Sequence, residues 1–417
     1  KTGLIEYTNS VLDTTNAYIC NSRPRRFGKS YEANMLAAYY SKGTDSEQMF
    51  SGLRISKDAD FKKHLNKYDV IHIDIQWFLA NCDDADKVVS FITKSVLDEL
   101  RGIYPDALPQ EVVTLPDALS RVKERTGQKF VVIIDEWDVI IRDGAIIENI
   151  QDEYLNFLRG MFKGVEPTKY IQLAYLTGIL PIKKERAQSA VNNLDEFTML
   201  QADELAPYIG FTENEVKGLC EKYNRDFDKV KKWYDGYLLD GYQVYNPKAV
   251  VSVMTKGRFR SYWSETGSYE VVVPLICMNY DGLKNAIIEM LSGSEVKVDT
   301  ATFKNDPAKI QNRDDVITYL IHLGYLGYNE DSESAFVPNE EIRQELITAV
   351  RSSNWDELIA FQQESRKLLT ATLSMDEKQV AAEIDKFHSQ YASMIQYNDE
   401  NSLSSIITIA YLGAMQD

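Results

Sequence analysis

At 417 residues, with 44% hydrophobic and 26% charged positions, the chain has the make-up of a folded protein too long for one ordinary core, so two or three domains are expected. A formal net charge of −17 argues against a protein that coats nucleic acid, which needs a broad positive face to release phosphate counterions. No apolar run reaches the ~18 residues of a membrane span and no leader-like segment opens the chain. The cysteines Cys20, Cys82, Cys220 and Cys277 lack the C-x-x-C spacing of a zinc or redox site. The expectation is a cytosolic protein without a membrane partner, its cysteines small buried residues. A start at Lys1 and an apolar end over residues 404–413 suggest a trimmed or fragmentary product.

Residues 17–20 read as a short apolar strand running into Arg23-Pro24-Arg25-Arg26-Phe27-Gly28-Lys29-Ser30, and residues 29–40 as the helix that follows. Gly-Lys-Ser opening a helix after a strand is the tail of the phosphate loop G-x-x-x-x-G-K-[ST]. In that loop backbone N–H groups cradle the phosphates, the Lys reaches the β and γ groups, and the Ser hydroxyl ligates Mg²⁺. Arg23 stands where the first glycine belongs, so the loop is a variant. Its candidate nucleotide-binding residues are Pro24, Arg25, Arg26, Phe27, Gly28, Lys29 and Ser30. Arg25 and Arg26 touch either phosphate or a later domain. Four positive charges from Arg23 to Lys29 in an acidic chain suit a small polyanion such as ATP.

Residues 70–75 read as a second strand and 84–101 as an amphipathic helix. A short helix from Pro116 to Gly127 precedes the β-branched run Phe130-Val131-Val132-Ile133-Ile134, as expected of a strand buried on both faces. A helix over 153–162 and a strand over 170–176 follow. Strands alternating with helices imply a parallel sheet with right-handed crossovers. Past about residue 205 helices dominate, beginning with a capping box at Thr212-Glu213-Asn214-Glu215. A helix over 314–323 and a hairpin over 325–337 give either a winged-helix pattern or an unrelated α+β packing. Residues 354–397 read as two amphipathic helices broken near Ser374.

ATP hydrolysis needs charge neutralisation at the γ-phosphate, a metal and an oriented water. Lys29 and Ser30 supply the first and part of the second. The strand ending Asp135-Glu136 supplies the rest, Asp135 in the Mg²⁺ shell and Glu136 polarising the water. Thr177, at the end of the next strand, is either a γ-phosphate sensor or a cap for the turn at Gly178. Arg186, in Lys183-Lys184-Glu185-Arg186, is either a charge-stabilising finger, in cis or from a second subunit, or part of a solvated cluster. Asp138 reads as structural. His64, His72, His322 and His388 read as core or rim residues, and Trp77, Trp137, Trp233 and Trp263 as core or interdomain anchors, with Trp137 also a candidate for the pocket wall.

Lys1-Thr2-Gly3-Leu4-Ile5, the loop from Arg23 to Ser30, Ile134-Asp135-Glu136-Trp137-Asp138, Leu176-Thr177-Gly178-Ile179-Leu180-Pro181-Ile182, and Trp233-Tyr234-Asp235-Gly236-Tyr237 with Tyr245-Asn246-Pro247 together resemble the bacterial AAA-ATPase-like family. The resemblance spans most of the chain and includes Arg23 in place of glycine. It implies a P-loop ATPase core with the strand order of AAA+ and related signalling ATPases. It also implies Lys29 and Ser30 on phosphate and metal, Asp135 and Glu136 as the Walker B pair, and Thr177 as sensor. Family members often carry a C-terminal nuclease of the PD-(D/E)XK type. Here residues 402–412 look like its first helix, but no paired acidic and lysine motif follows, so no nuclease activity is expected of the chain as it stands.

The expected architecture is thus α/β, a P-loop NTPase parallel sheet flanked by helices over 1–205. A helical lid-like domain spans 206–300, a winged-helix region 301–352, and a helical linker towards an absent domain 353–417. The expected function is an ATP-binding and hydrolysing switch acting on a C-terminal effector, with ATP or ADP and Mg²⁺ as ligands and a homo-oligomer as one partner arrangement. Nucleic acid enters only through the absent nuclease. The competing reading is a nucleotide-stabilised scaffold, or a nucleic-acid- or protein-binding module, without productive hydrolysis. No guanine-reading N-K-x-D follows the fourth strand, which favours ATP over GTP.

Overall fold

A strand with no polar face has to be buried on both sides, and β3, Phe130–Asp135, is buried along its whole length. The computed structural model describes residues 1–143, 146–182, 193–263, 269–278, 280–352 and 367–391. In it β3 belongs to a five-stranded sheet with β1 (Tyr18–Ser22), β2 (Asp69–Asp74), β4 (Ile171–Gly178) and β5 (Asp195–Phe197), ordered β2-β3-β4-β1-β5. Every pairing is parallel, so each connection crosses a face of the sheet. Alternation along β3 sorts its side chains into two cores. Phe130, Val132 and Ile134 pack with Leu97, Leu119, Val122, Tyr154 and Leu158, whereas Val131 and Ile133 face Leu4, Leu36, Tyr39 and Tyr40. The result is an α/β P-loop-type sheet between two helical layers.

Those layers are built from α1 (Gly3–Val11), α2 (Lys29–Tyr40), α3 (Val88–Ile103), α4 (Leu115–Thr126), a single turn α5 (Val139–Arg142) and α6 (Glu148–Phe162). Helix α4 carries its proline in the first turn and stops at Gly127 in the left-handed conformation, as its sequence requires.

Beyond residue 205 the chain is less purely helical than expected. Two small antiparallel sheets are present: β6 (Phe211–Thr212), β7 (Tyr237–Leu239) and β8 (Tyr242–Tyr245), and β9 (Val296–Lys297), β10 (Gly327–Asn329) and β11 (Ser334–Phe336). Around them lie α7 (Glu213–Tyr223), opened by the Thr212/Glu215 capping box, α8 (Phe227–Tyr234), α9 (Pro247–Lys256) and α10 (Tyr269–Ile276). The series continues with α11 (Leu283–Leu291), α12 (Arg313–Leu323), α13 (Glu340–Ser352) and α14 (Glu377–Tyr391). Helix α12 is buried from Asp315 through Leu323. The break expected near Ser374 is present, with Met375 at φ 55° between two helical stretches.

The aromatic-glycine motif after α8 is a joint in the scaffold. Gly236 has φ 107°, and a Cβ on it would stand 2.0 Å from the Pro338 carbonyl oxygen. Asn339 Nδ2 donates to the Asp235 carbonyl at 2.6 Å, and Asn246 caps α9 by accepting from the Lys248 and Ala249 N–H groups at 2.9 and 3.2 Å.

Two expectations need correction. Trp77 is 53% exposed, its ring edge-on to Phe78 and tilted against Phe91, because the short helix after β2, Ile75–Ala80, carries it to the rim rather than into a core. Cys20 and Cys220 are buried, but Cys82, packed against the edge of the sheet's core, is half-buried and Cys277, in a connection, is exposed. The expected first helix of a further domain, residues 402–412, lies outside the described residues. No helix among the described residues is long and apolar enough to cross a membrane.

Candidate nucleotide-binding site

Parallel strands deliver the residues that follow them to one edge of the sheet, where open α/β folds bind ligands. The register aligns Asn21 with Thr177 and Ile134 with Leu176, so the loop after β1, the acids after β3 and the end of β4 emerge together.

The loop takes two left-handed residues, Arg26 at φ 70° and Gly28 at φ 99°. Nothing lies within 4 Å of where a Gly28 Cβ would be, so the backbone angle and not lack of space calls for glycine there. Gly28 is also the N-cap of α2 and brings no side-chain cap, which leaves the first-turn N–H groups and the positive end of the helix dipole to meet an anion. Lys29, 4% exposed, folds back over the loop: its Nζ donates to the Pro24 carbonyl at 3.1 Å and lies 3.6 Å from Glu136 Oε1. Ser30 is exposed beside it.

The acids are knitted to β4. Thr177 Oγ1 donates to Asp135 Oδ1, the Glu136 N–H donates to the same carboxylate oxygen at 3.1 Å and to Thr177 Oγ1 at 3.4 Å, and the Trp137 N–H donates to the Thr177 carbonyl at 2.8 Å. Asp138 Oδ2 accepts from the Ile179 and Leu180 N–H groups at 3.0 and 2.8 Å. A Cβ on Gly178 would lie 2.6 Å from Trp137 Nε1, so glycine is what lets the two segments close. The Ile134-to-Asp138 and Thr177-to-Leu180 motifs are therefore one hydrogen-bonded unit. Asp135 and Ser30 offer hard oxygen donors of the kind Mg²⁺ takes.

Residues 1–187 match the protein-family model described as Predicted AAA-ATPase. Over that segment the chain is similar to the AAA-ATPase-like family. A curated relative from Azotobacter chroococcum mcd 1, described as an uncharacterized protein in the vnfD 5' region, is 27% identical over 260 residues, which is 61% of this chain and 48% of the relative. The chain thus spans about half the length of that relative. Among solved structures, that of the Aeropyrum pernix ORC2 protein (ADPNP-ADP complexes) covers 84% of this chain and 92% of its own at 11% identity, with a TM-score of 0.36. The AAA-ATPase-like segment is a P-loop nucleotide-binding module.

Not every residue of its loop faces the edge of the sheet. Arg23 is fully buried, donating through Nη1 to the Ser22 carbonyl at 2.9 Å, with Nε and Nη2 unpartnered among the described residues. Burial pulls its pKa down to about 10, against the opposing charge of Glu32, whose own carboxyl burial pushes well up. Arg23 thus belongs to the interior beneath the loop. Phe27 is buried against Tyr237, ring centroids 5.3 Å apart, and Pro24 abuts Gly324, so both side chains pack on the C-terminal body. Arg26 Nη1 donates to the Tyr262 and Trp263 carbonyls at 2.6 and 3.0 Å. Of the two alternatives open for Arg26, the later domain is what it touches. Trp137 is a core residue. Arg186 lies outside the described residues.

The N–H groups of the same Tyr262-Trp263 segment donate to buried Glu341 of α13, at 2.6 and 3.1 Å. Burial pushes the Glu341 carboxyl up to about 7, the two N–H groups and Arg26 opposing and Glu345 adding to it. A folded-state value above the ordinary 4.5 means the folded protein keeps a proton that the unfolded chain releases. The associated stability is full below about 4.5 and fades as pH rises to about 7. Glu341→Gln is expected to remove that dependence. Urea melts at pH 5 and pH 7 should then show wild type losing roughly 2 kcal/mol more than the variant between the two. Equal losses would contradict the assignment.

Sequence reasoning missed Arg142. The apolar Val139-Ile140-Ile141 before it gave no hint that its guanidinium reaches back to the acids, donating from Nη2 to Glu136 Oε2 at 2.8 Å and from Nε to Asp138 Oδ2 at 2.7 Å. Arg142 standing four residues after Asp138, one helical turn on, was the available signal.

Proposed function

We propose that the chain binds ATP with Mg²⁺ and hydrolyses it slowly, and that nucleotide state sets the arrangement of its C-terminal region. The observation that carries this reading is Lys29 Nζ standing between the Pro24 carbonyl and Glu136 Oε1, at the uncapped start of α2. A phosphate entering there meets a buried ammonium and free first-turn N–H groups. Ser30 and Asp135 would hold Mg²⁺, which when bound offsets charge on the phosphates. Glu136 accepts a proton from the attacking water as its oxygen bonds to the γ-phosphorus. The bond from that phosphorus to the bridging oxygen breaks, and ADP leaves with the bonding pair. Thr177 fixes Asp135 and senses the γ-phosphate, and Arg186 is a finger supplied in cis or by a second copy.

Pro24, Arg26 and Phe27 support the switch half of the proposal, since each ties the loop to residues beyond 205. The domain division follows: a P-loop ATPase over 1–205, a lid over 206–300, a winged-helix region over 301–352, and a linker from 353 towards an effector domain of nuclease type. The burial of α12, the helix ahead of the β10-β11 wing, speaks against its reading a DNA groove. A cytoplasmic location fits this reading. The alternative, a nucleotide-stabilised scaffold without turnover, draws on Glu136 being held by both Lys29 and Arg142.

Calorimetric titration with Mg-ATP and Mg-GTP, followed by phosphate release across protein concentrations, decides between them. Binding that prefers ATP, with measurable turnover, is the expected result; a rate per subunit that rises with concentration marks a finger from a second copy, and a constant rate one supplied in cis. Retained nucleotide with no turnover at any concentration gives the scaffold, and binding of neither nucleotide overturns the proposal.

A further inference from the structure

We propose that Arg142 is the positioning residue that sets the carboxylate of Glu136 for hydrolysis; the inference rests on the ATPase reading above. Glu136 sits at φ 53°, in the left-handed region that a residue with a side chain holds only when its surroundings fix it. Its N–H is fixed by Asp135 and Thr177, but its carboxylate is a quarter exposed and would turn freely without a partner. Arg142, 9% exposed, supplies that partner through Nη2. Its guanidinium is itself anchored, because Nε is held by Asp138, which is fully buried and locked to the Ile179 and Leu180 N–H groups. The planar fork of arginine lets one group bind two carboxylates at a set angle.

The chain of contacts runs from the end of β4 through Asp138 and Arg142 to Glu136. It ties the acid that activates water to the strand that carries Thr177. Burial alone would lower the Arg142 pKa, and Asp138 and Glu136 more than reverse it, so the guanidinium stays charged in the interior. Lys29 also lies within 3.6 Å of Glu136. When phosphate draws Lys29 away, Arg142 is the cation that remains on the acid. Asp138, read from sequence as structural, acts here by holding Arg142.

The variant to use is Arg142→Lys. It keeps a cation beside buried Asp138, whereas Arg142→Ala would leave that carboxylate without its charge partner and threaten folding. A single ammonium cannot bridge both acids in the arginine geometry. Steady-state phosphate release should show kcat lowered about 10-fold with KM for ATP within about threefold, the split expected when a group acts in the transition state and not in binding. Placed on Glu136→Gln, the same change should lower kcat by no more than about twofold further, since a residue acting through Glu136 has nothing left to position. A merely structural residue would shift the melting temperature and multiply with Glu136→Gln. Unchanged or raised kcat in a folded Arg142→Lys protein, or multiplied effects in the double variant, would overturn the assignment while leaving the ATPase reading intact. A wild type that binds ATP without turnover would overturn both.

Discussion

Lys29→Ala is expected to lower affinity for Mg-ATP by roughly 100-fold or more, the value of one charge-assisted contact to phosphate lost from a buried site. The physical case lies in where the ammonium sits. It is almost fully buried, its Nζ held by the Pro24 carbonyl at 3.1 Å and 3.6 Å from Glu136, so a short shift off the acid is all it needs to meet a phosphate. Alanine is a good helix former, and removing a cation from the first turn of α2 relieves an unfavourable interaction with the helix dipole, so the fold should survive. Glu136 keeps Arg142 as its partner after the change. The check is a pair of measurements. Titration gives the affinity directly. Thermal melting adds a second readout, because ligand at 100 times its dissociation constant stabilises the wild type by about 2.7 kcal/mol and should do so far less in the variant. Equal affinity in both proteins would mean that nucleotide, if bound, is bound elsewhere.

The parts of this site that were legible in the sequence are those written in short, contiguous stretches. The strand-loop-helix from β1 into α2 shows itself through apolar periodicity and Gly28-Lys29-Ser30, and the helix begins and ends where its composition says, at Lys29 and Tyr40. The buried run into Asp135 is equally plain. What the sequence does not write is direction. Arg23, Arg26 and Phe27 sit among phosphate-loop residues yet point into the interior or towards residues more than two hundred positions later, where the charge of Glu32, the Tyr262 carbonyl and the Tyr237 ring meet them. Arg142 and Asp138 become meaningful only once β4 lies beside β3 and offers the Ile179 and Leu180 N–H groups.

One miss was avoidable. Asp240 and Gly241 stand between Leu238-Leu239 and Tyr242-Gln243, and both take positive φ, 44° and 77°, as a two-residue type I′ hairpin demands. Asp-Gly between two short stretches that carry Leu and Tyr is a strong local sign of a hairpin, and it marks β7 and β8 within a region otherwise read as helical. The strands are three and four residues long, too short for alternation to register.

Glu136→Gln separates binding from chemistry. The amide occupies the same volume, its oxygen can still accept from Arg142, and the left-handed backbone is held by the N–H contacts to Asp135 and Thr177, which the change does not touch. What is lost is the anion that takes a proton from water. General-base removal of this kind is expected to lower the single-turnover rate of phosphate release by about 100- to 1,000-fold. Affinity should move the other way. In the ligand-free site Glu136 competes with phosphate for Lys29 and repels the incoming negative charge, so neutralising it should leave ATP binding equal or tighter. An ATP complex that forms normally and persists unhydrolysed is the signature. A variant that hydrolyses at the wild-type rate would remove Glu136 from the chemistry and, with it, the reason for Arg142 to be where it is.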